Sequence, residues 1–316
     1  MSKKSFAAGL VAGAAAAYAG VGLLLSYEVT AKNARLPKYA TAMFNKSHGI
    51  PAGDGPKDER VEWFRANPRE EFTRVNDRGQ TLHAFYMPTD EPSDKYIICA
   101  HGYRSCGQGE FRFAGKFLHD IGYNVIFVDH QAAGVSDGKF ISFGKYEAKD
   151  FIDWINFFID KFGKDIQIAL YGISMGSATV MTCSNKAGLP ENVKFILADC
   201  GYTSVNELFT FILNGFFVPA KPVLASANLF SKAMGKWDFN EVNPIDCVRG
   251  AKVPILFVHG EKDDFVPTFM SGKLYNACCS EKDILIVPGA GHAESYQKGS
   301  EMYEEKFKEF ASKYIK

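Results

Sequence analysis

Residues 166–178 constrain the fold most, because their pattern predicts a strand, a very sharp turn and the start of a helix. Apolar residues end at Gly172, and a Gly-Ile-Ser-Met-Gly pentapeptide follows with Ser174 at its centre. Such a turn strains the backbone of the serine, so its neighbours must be small, and Gly172 and Gly176 meet that need. The hydroxyl would lie at a helix N-terminus, which favours a developing anion. We predict that Ser174 is a nucleophile.

The same five-residue pattern occurs a second time, with Ser136 at its centre. There, loop residues separate the serine from the preceding predicted strand, residues 125–129, and no helix begins at Ser136. We therefore interpret Ser136 as a loop residue. For Ser174, the motif alone is also compatible with a plain helix N-cap after a buried strand. The choice between a nucleophile and an N-cap therefore depends on residues elsewhere in the chain.

From residue 95 onward, predicted strands alternate with helices. The strands are continuous apolar runs, as in sheets covered on both faces, at residues 96–100, 124–129, 166–171, 194–199, 253–258 and 283–287. A hairpin of residues 72–75 and 81–86 precedes them. This alternation predicts an α/β fold with a mostly parallel central sheet and helices on both faces. Ligands of such sheets bind at the carboxyl ends of the strands.

Composition excludes several classes of function. The 316 residues contain 36 Lys plus Arg and 36 Asp plus Glu, so no basic surplus indicates nucleic-acid binding. The seven cysteines are odd in number and form no Cys-x-x-Cys pair, which predicts neither a disulfide framework nor a zinc site. We expect no metal and no organic cofactor.

A long insertion interrupts the alternation after the strand that ends at Asp199. About fifty residues precede the next strand, where a crossover needs far fewer. They include a dense apolar run with Phe209, Phe216 and Phe217. We predict a small helical cap over about residues 204–245 that supplies an apolar wall to the site. The alternative is a pair of ordinary core helices.

A serine nucleophile needs a base that takes its proton and an acid that orients the base. His292 follows the last predicted strand in a glycine-rich loop, and Asp263 follows the strand before it. The order Ser174, Asp263, His292 fits a strand–turn–helix nucleophile. Asp264 and Asp199 are alternative acids, since they also lie at or near strand ends.

Two backbone N–H groups are candidates for binding the oxyanion of a tetrahedral intermediate. One belongs to Met175, at the predicted helix start. The other belongs to Tyr103, in the loop after the first parallel strand, where Gly102 permits a turn. His101 and His259 each precede a glycine at a strand end, and we interpret them as turn-stabilising residues.

The N-terminus predicts a membrane segment. Lys3 and Lys4 precede the uncharged residues 5–27, and about 20 residues suffice to span a bilayer. We predict a membrane anchor or signal segment over residues 1–27 and a connector over residues 28–70. A short basic tail favours an extracytoplasmic globular part. The alternatives are a cleaved signal peptide, which gives a secreted protein, and a soluble Ala-rich helix.

Together these pieces resemble the α/β-hydrolase superfamily, and most closely its serine-aminopeptidase-like and Bem46-like members, which are often anchored in membranes. The resemblance covers about residues 71–316 and rests on His101-Gly102-Tyr103, residues 172–176, residues 259–267 and Gly291-His292. It implies an α/β-hydrolase domain with the triad Ser174, Asp263 and His292. Residues 129–134 depart from the family's common Arg-bearing loop.

We therefore expect a serine hydrolase of the carboxylesterase or lipase type, which cleaves small-molecule esters with an apolar acyl or aryl group through an acyl-enzyme. A peptidase, an acyltransferase or a thioesterase would use the same triad. A non-catalytic, membrane-tethered protein of this fold is the alternative outside enzymes, but such proteins usually lack a triad member.

Overall fold

The structure, a computed structural model, describes residues 19–24, 26–32 and 58–316. Its centre is an eight-stranded sheet with the order β1-β2-β4-β3-β5-β6-β7-β8. The strands are β1 Glu70–Val75, β2 Thr81–Met87, β3 Lys95–Ala100, β4 Asn124–Asp129, β5 Gln167–Ile173, β6 Val193–Asp199, β7 Ile255–Gly260 and β8 Lys282–Val287. Strands β3 to β8 are all parallel, whereas β1 and β2 pair antiparallel. The mostly parallel sheet and the hairpin before it are confirmed.

Helices cover both faces of this sheet. The α-helices within residues 58–316 are α1 Glu59–Ala66, α2 Gly107–Glu110, α3 Gly115–Asp120, α4 Lys145–Phe162, α5 Met175–Cys183, α6 Val205–Gly215, α7 Ala220–Phe230, α8 Pro244–Val248, α9 Phe269–Ala277, α10 Ser295–Lys298 and α11 Ser300–Ala311. Successive strand residues point to opposite faces. Thus Ile98 packs in the core that contains Phe151 of α4, and Cys99 packs in the core that contains Phe307 of α11. The strands are buried on both sides because each face has its own helical layer.

Helix α4 has the bounds that its amphipathic pattern predicts, and its ends explain why. Gly144 precedes it with φ 109°, and the Glu147 carboxylate accepts the Gly144 N–H at 2.9 Å. Gly163 follows it with φ 112°, a backbone conformation that favours glycine. Between these ends, Phe151 and Phe158 lie on the buried face.

Two predicted helices have different bounds in the structure. The sequence predicts a helix over residues 111–121, but the structure has only the shorter α3 in this range, and α2 lies before it. Helix α3 packs so closely that a Cβ on Gly115 would lie 2.5 Å from the ring of Phe64. Within the long insertion the sequence predicts a helix over residues 224–234, and in the structure this helix begins earlier, at Ala220. Pro222 lies in its first turn, where proline is tolerated because the N–H groups there have no intrahelical acceptor.

The predicted anchor lies mostly outside the described residues, which include none of residues 1–18 or 33–57. Within the described ranges, no helix is both long enough and apolar enough to cross a membrane. Residues 19–24 and 26–30 are helical, and Ala31 pairs with Phe140 in an antiparallel bridge. Residues 19–24 and 26–32 are called the N-terminal segment below.

The core of α4 yields a stability prediction. Phe158 is fully buried and contacts the rings of Phe72, Trp154 and Phe162. We expect Phe158→Ala to lower the free energy of unfolding by about 3–5 kcal/mol, because it leaves a cavity among aromatic rings. Phe217→Ala is the control, since Phe217 is 96% exposed and its loss should change stability by only about 0.5 kcal/mol. Equal losses in denaturant unfolding would contradict this account of the core.

Candidate active site

Ser174 lies in a very tight turn between β5 and α5. Its φ of 55° and ψ of −115° are strained for a residue with a side chain. A Cβ on Gly172 would lie 2.3 Å from the carbonyl oxygen of Gly176, and a Cβ on Gly176 would lie 1.8 Å from that of Ala100. The predicted strand, turn and helix are confirmed, and both glycines are required by the close approach of backbones.

The structure brings Ser174, His292 and Asp263 into one hydrogen-bonded chain. Ser174 Oγ lies 2.8 Å from His292 Nε2, and His292 Nδ1 lies 2.7 Å from Asp263 Oδ2. The network places the Nδ1 proton towards the carboxylate and leaves Nε2 to accept from the serine hydroxyl. All three side chains are buried, on the turn after β5 and on the loops that follow β7 and β8.

The Asp263 carboxylate is held from four directions. Its Oδ1 accepts the N–H groups of Phe265 at 3.0 Å and Val266 at 2.9 Å. Its Oδ2 lies 2.7 Å from His292 Nδ1 and 3.1 Å from His259 Nε2. Burial alone would raise the pKa of Asp263, but the charge and hydrogen bonds of the two histidines outweigh burial and hold that pKa well below its ordinary value. The carboxylate therefore remains charged at neutral pH.

Burial and the charge of the partner side chain also shift the pKa of His292, each in the direction opposite to its effect on Asp263. Burial disfavours the charged imidazolium, but the charge of Asp263 and the hydrogen bond to it raise the pKa of His292 above its ordinary value. The negative charges of Glu110 and Asp199 act in the same direction. The site thus stabilises an imidazolium at the place where His292 would hold the proton of Ser174.

Neither alternative acid contacts His292. Asp264 is exposed and is one of the residues that line the cavity described below. Asp199 is buried, but its carboxylate accepts the hydroxyls of Ser295 and Tyr303, each at 3.0 Å. Asp199 therefore ties the start of α10, three residues after His292, to the sheet.

The contact of His259 with Asp263 is a feature that the sequence analysis missed. His259 Nε2 also lies 2.8 Å from the carbonyl oxygen of Val266, and its Nδ1 lies 2.5 Å from Ser271 Oγ. His259 therefore stabilises the turn, as expected, and in addition contacts the acid. The sequence feature that could have indicated this contact is the position of His259 at a strand end, four residues before Asp263. His101 stabilises a turn too, since its ring nitrogens bond the Gly102 carbonyl at 2.7 Å and the backbone N–H of residue 130 at 3.1 Å.

Tyr103 and Met175, the candidate oxyanion residues, are both buried and both line the cavity at Ser174. The loop of Tyr103 passes close to the serine, since a Cβ on Gly102 would lie 3.4 Å from Ser174 Cβ. Met175 is the first residue of α5, where N–H groups have no acceptor within the helix. The Ser174 N–H is already used, because it donates to the Asp199 carbonyl at 2.9 Å.

A cavity of about 740 Å³ opens beside Ser174. Phe209 and Phe216 of the predicted cap line it, together with other residues of α6 and α7. The prediction that Phe217 lines the site was wrong, because this side chain is 96% exposed and is absent from the lining. Phe217 lies in the turn after α6 with φ 57°, and this turn directs the ring into solvent.

The serine at the centre of the second Gly-x-Ser-x-Gly pattern, Ser136, has a structural role. Ser136 is buried, its hydroxyl donates to the Asp129 carbonyl at 2.7 Å, and it accepts the His83 N–H at 2.9 Å. Ser136 is therefore a loop residue, as predicted.

Among the described residues, Cys200 groups with Asp263 and His292 such that their potential ligand atoms lie within 4.8 Å of one another. Burial raises the pKa of the Cys200 thiol well above its ordinary value, so the thiol stays protonated and is a poor ligand. His292 uses both ring nitrogens for Asp263 and Ser174. This grouping does not fit a metal centre.

Comparison with known proteins gives a family match and one relative that covers most of the chain. Residues 110–316 match the profile of the prolyl oligopeptidase family. Bacillus subtilis YqkD, an uncharacterized protein, is 28% identical over 250 residues, which cover 79% of this chain and 81% of that protein.

Solved structures show the same fold. The Pyrococcus furiosus esterase Pf2001 has a TM-score of 0.64 and 19% identity, covering 84% of this chain and 97% of that one. The Pyrococcus horikoshii acylaminoacyl peptidase has a TM-score of 0.62 and 17% identity, covering 82% of this chain and 44% of that one. The α/β-hydrolase fold expected from the sequence is confirmed.

The pairing of His292 with Asp263 can be tested without any substrate. We expect Asp263→Asn to lower the pKa of His292 to below the ordinary value of about 6.5, because burial remains while the attraction of the carboxylate is lost. NMR titration of the imidazole measures this pKa, and a His292→Gln spectrum assigns the signal. Asp264→Asn is the matched control and should leave the pKa nearly unchanged. Equal shifts in both variants would show that Asp263 is not the partner.

Proposed function

The chain belongs to the prolyl oligopeptidase family of serine hydrolases, and from this membership and the site we propose that it hydrolyses carboxylic esters with an apolar acyl or aryl group. One observation carries the proposal. The hydrogen-bonded chain of Ser174, His292 and Asp263 ends at an apolar cavity large enough for a sizeable acyl group.

The proposed reaction proceeds through an acyl-enzyme. His292 Nε2 takes the proton of Ser174 Oγ, which attacks the ester carbonyl carbon. The N–H groups of Met175 and Tyr103 stabilise the resulting oxyanion. The imidazolium then protonates the leaving alcohol as its bond to the carbonyl carbon breaks. Water, deprotonated by His292, attacks the acyl-enzyme in the same way, and the carboxylic acid leaves as the serine regains its proton.

The cavity lining supports an uncharged, apolar acyl group. Among the described residues that line it, Asp264 carries the only charged side chain. An anionic acyl group would lose its hydration there without gaining a partner of opposite charge, which costs several kcal/mol. An alkyl or aryl group would instead bury apolar surface against rings such as those of Phe209 and Phe216.

A peptidase is the second candidate, because the matched family and the acylaminoacyl peptidase neighbour both favour it. Peptide cleavage with recognition of a free amino terminus would need a carboxylate near the site, and Asp264 is the one that the described lining offers. The apolar lining favours the ester. Thioester hydrolysis and acyl transfer would use the same groups and belong in the same substrate panel.

Labelling with a fluorophosphonate tests the nucleophile, because an activated serine attacks phosphorus and displaces fluoride. We expect the full chain to be labelled and Ser174→Ala not to be labelled. Ser136→Ala, which alters the other Gly-x-Ser-x-Gly serine, should still react if folded. Label that persists on Ser174→Ala would refute the proposed nucleophile. The rates at which the wild-type chain hydrolyses esters, thioesters and peptides are then compared.

The acyl pocket can be tested by enlarging it. Phe209 lines the cavity and packs against Phe143 and Phe239. We expect Phe209→Ala to change the ratio of kcat/KM for long and short acyl esters by at least about tenfold, since a single methylene in such a pocket is worth about 1–3 kcal/mol. The assay uses aryl esters from acetyl to palmitoyl. Phe217→Ala is the control and should keep the wild-type ratio, because its ring lies in solvent. Identical profiles would argue against an acyl group in this cavity.

A further inference from the structure

The cavity beside Ser174 is not enclosed by the cap alone. Val21, Ser26, Val29 and Thr30 of the N-terminal segment also line it. The sequence assigns these residues to an anchor and a connector, outside the hydrolase domain. Part of the pocket lining therefore comes from residues that lie about 150 positions before Ser174 in the chain.

One face of the N-terminal segment packs on the cap helix α7. Gly22, Ser26 and Thr30 are buried and lie four residues apart, on the same side of a helix. A Cβ on Gly22 would lie 2.6 Å from the Val223 carbonyl oxygen and 2.9 Å from Ser226 Cβ. The two helices therefore approach closely enough at this point to require a glycine.

The contact continues along the same face. Ser26 Oγ donates to the carbonyl oxygen of Ala227 at 3.1 Å and lies 3.1 Å from Ser231 Oγ. Tyr27, beside it in the chain, makes an edge contact with the ring of Phe230. The wall is thus held against α7 by polar contacts as well as by close packing.

The end of the segment is tied to the loop that carries the candidate oxyanion donor. The Tyr103 hydroxyl donates to the Val29 carbonyl at 2.7 Å. The Arg104 guanidinium donates to the carbonyl oxygens of Glu28 at 2.6 Å and Ala31 at 3.1 Å. These carbonyls lie at or just after the end of a helix, where they have no intrahelical donor.

We propose that the N-terminal segment is the outer wall of the acyl pocket, and that it determines which apolar acyl groups the enzyme accepts. This inference rests on the proposed function of the same site. Val21 and Val29 supply apolar contacts to the far part of an alkyl chain, and the small face that includes Gly22 sets how closely this wall approaches α7. The ties to Tyr103 and Arg104 fix the segment relative to Ser174.

Two matched pairs of variants in the full chain test the wall. Gly22→Val is paired with Gly20→Val, because Gly20 is exposed and a Cβ there would meet nothing within 4 Å. Val21→Asp is paired with Leu24→Asp. Val21 lines the cavity and is 44% exposed, whereas Leu24 is 64% exposed and is absent from the lining. The second pair keeps the test valid should Gly22→Val fail to fold.

The measurement is the rate of labelling of Ser174 by fluorophosphonates with a short or a long alkyl group. We expect Gly22→Val and Val21→Asp to reduce the long-to-short ratio of these rates by at least about tenfold. Gly20→Val and Leu24→Asp should keep the ratio of the wild type. Equal ratios within each pair would overturn the inference.

This readout separates the inference from the proposed function. Labelling needs only an activated serine and a pocket for the alkyl group, whatever bond the enzyme naturally cleaves. A wild-type chain that is labelled but hydrolyses no ester would refute ester hydrolysis, while the long-to-short ratios would still decide whether the N-terminal segment is the wall.

Discussion

The close approach of three backbone segments at Ser174 is the constraint on which the site depends. β3 ends against the first turn of α5 so tightly that only glycine fits at position 176, and only glycine fits at position 172. Ser174, between these two glycines, has a positive φ, and its hydroxyl lies 2.8 Å from His292 Nε2. The other residues of the site come from separate elements: His292 and Asp263 lie on two loops, and α6 and α7 line the cavity beside the hydroxyl.

The buried charge of Asp263 is the second constraint, because a carboxylate without partners would be costly in this core. Two backbone N–H groups and two imidazoles contact it. His259 contributes to the site by contacting this carboxylate and by stabilising the turn that carries it. The carboxylate can then favour a proton on His292 without taking that proton itself. The loops after β7 and β8 are therefore electrostatically coupled as well as adjacent.

The sequence predicts the sheet and the grouping of Ser174, Asp263 and His292, because parallel strands bring their carboxyl ends to one edge and the glycine-rich turns mark that edge. It does not predict which cap aromatic faces the cavity. Phe216 and Phe217 are adjacent and chemically identical, yet Phe216 is 49% exposed and lines the cavity, whereas Phe217, with a positive φ, is 96% exposed and does not. That conformation depends on how α6 meets α7, which no local pattern specifies.

The sequence also does not predict that the N-terminal segment lines the cavity beside Ser174. Its partners on α7 lie about two hundred residues away in the chain, so no periodicity reveals them. Signal-peptide cleavage near residues 29–31, one alternative that the sequence allows, would remove Val21 and Ser26 and expose the cavity on that side. It would also remove the Val29 and Glu28 carbonyl oxygens, to which Tyr103 and Arg104 donate hydrogen bonds. The contacts of Val21, Ser26 and Val29 with the cavity and with α7 therefore depend on the presence of this segment, which is the part of the chain that the proposed wall needs.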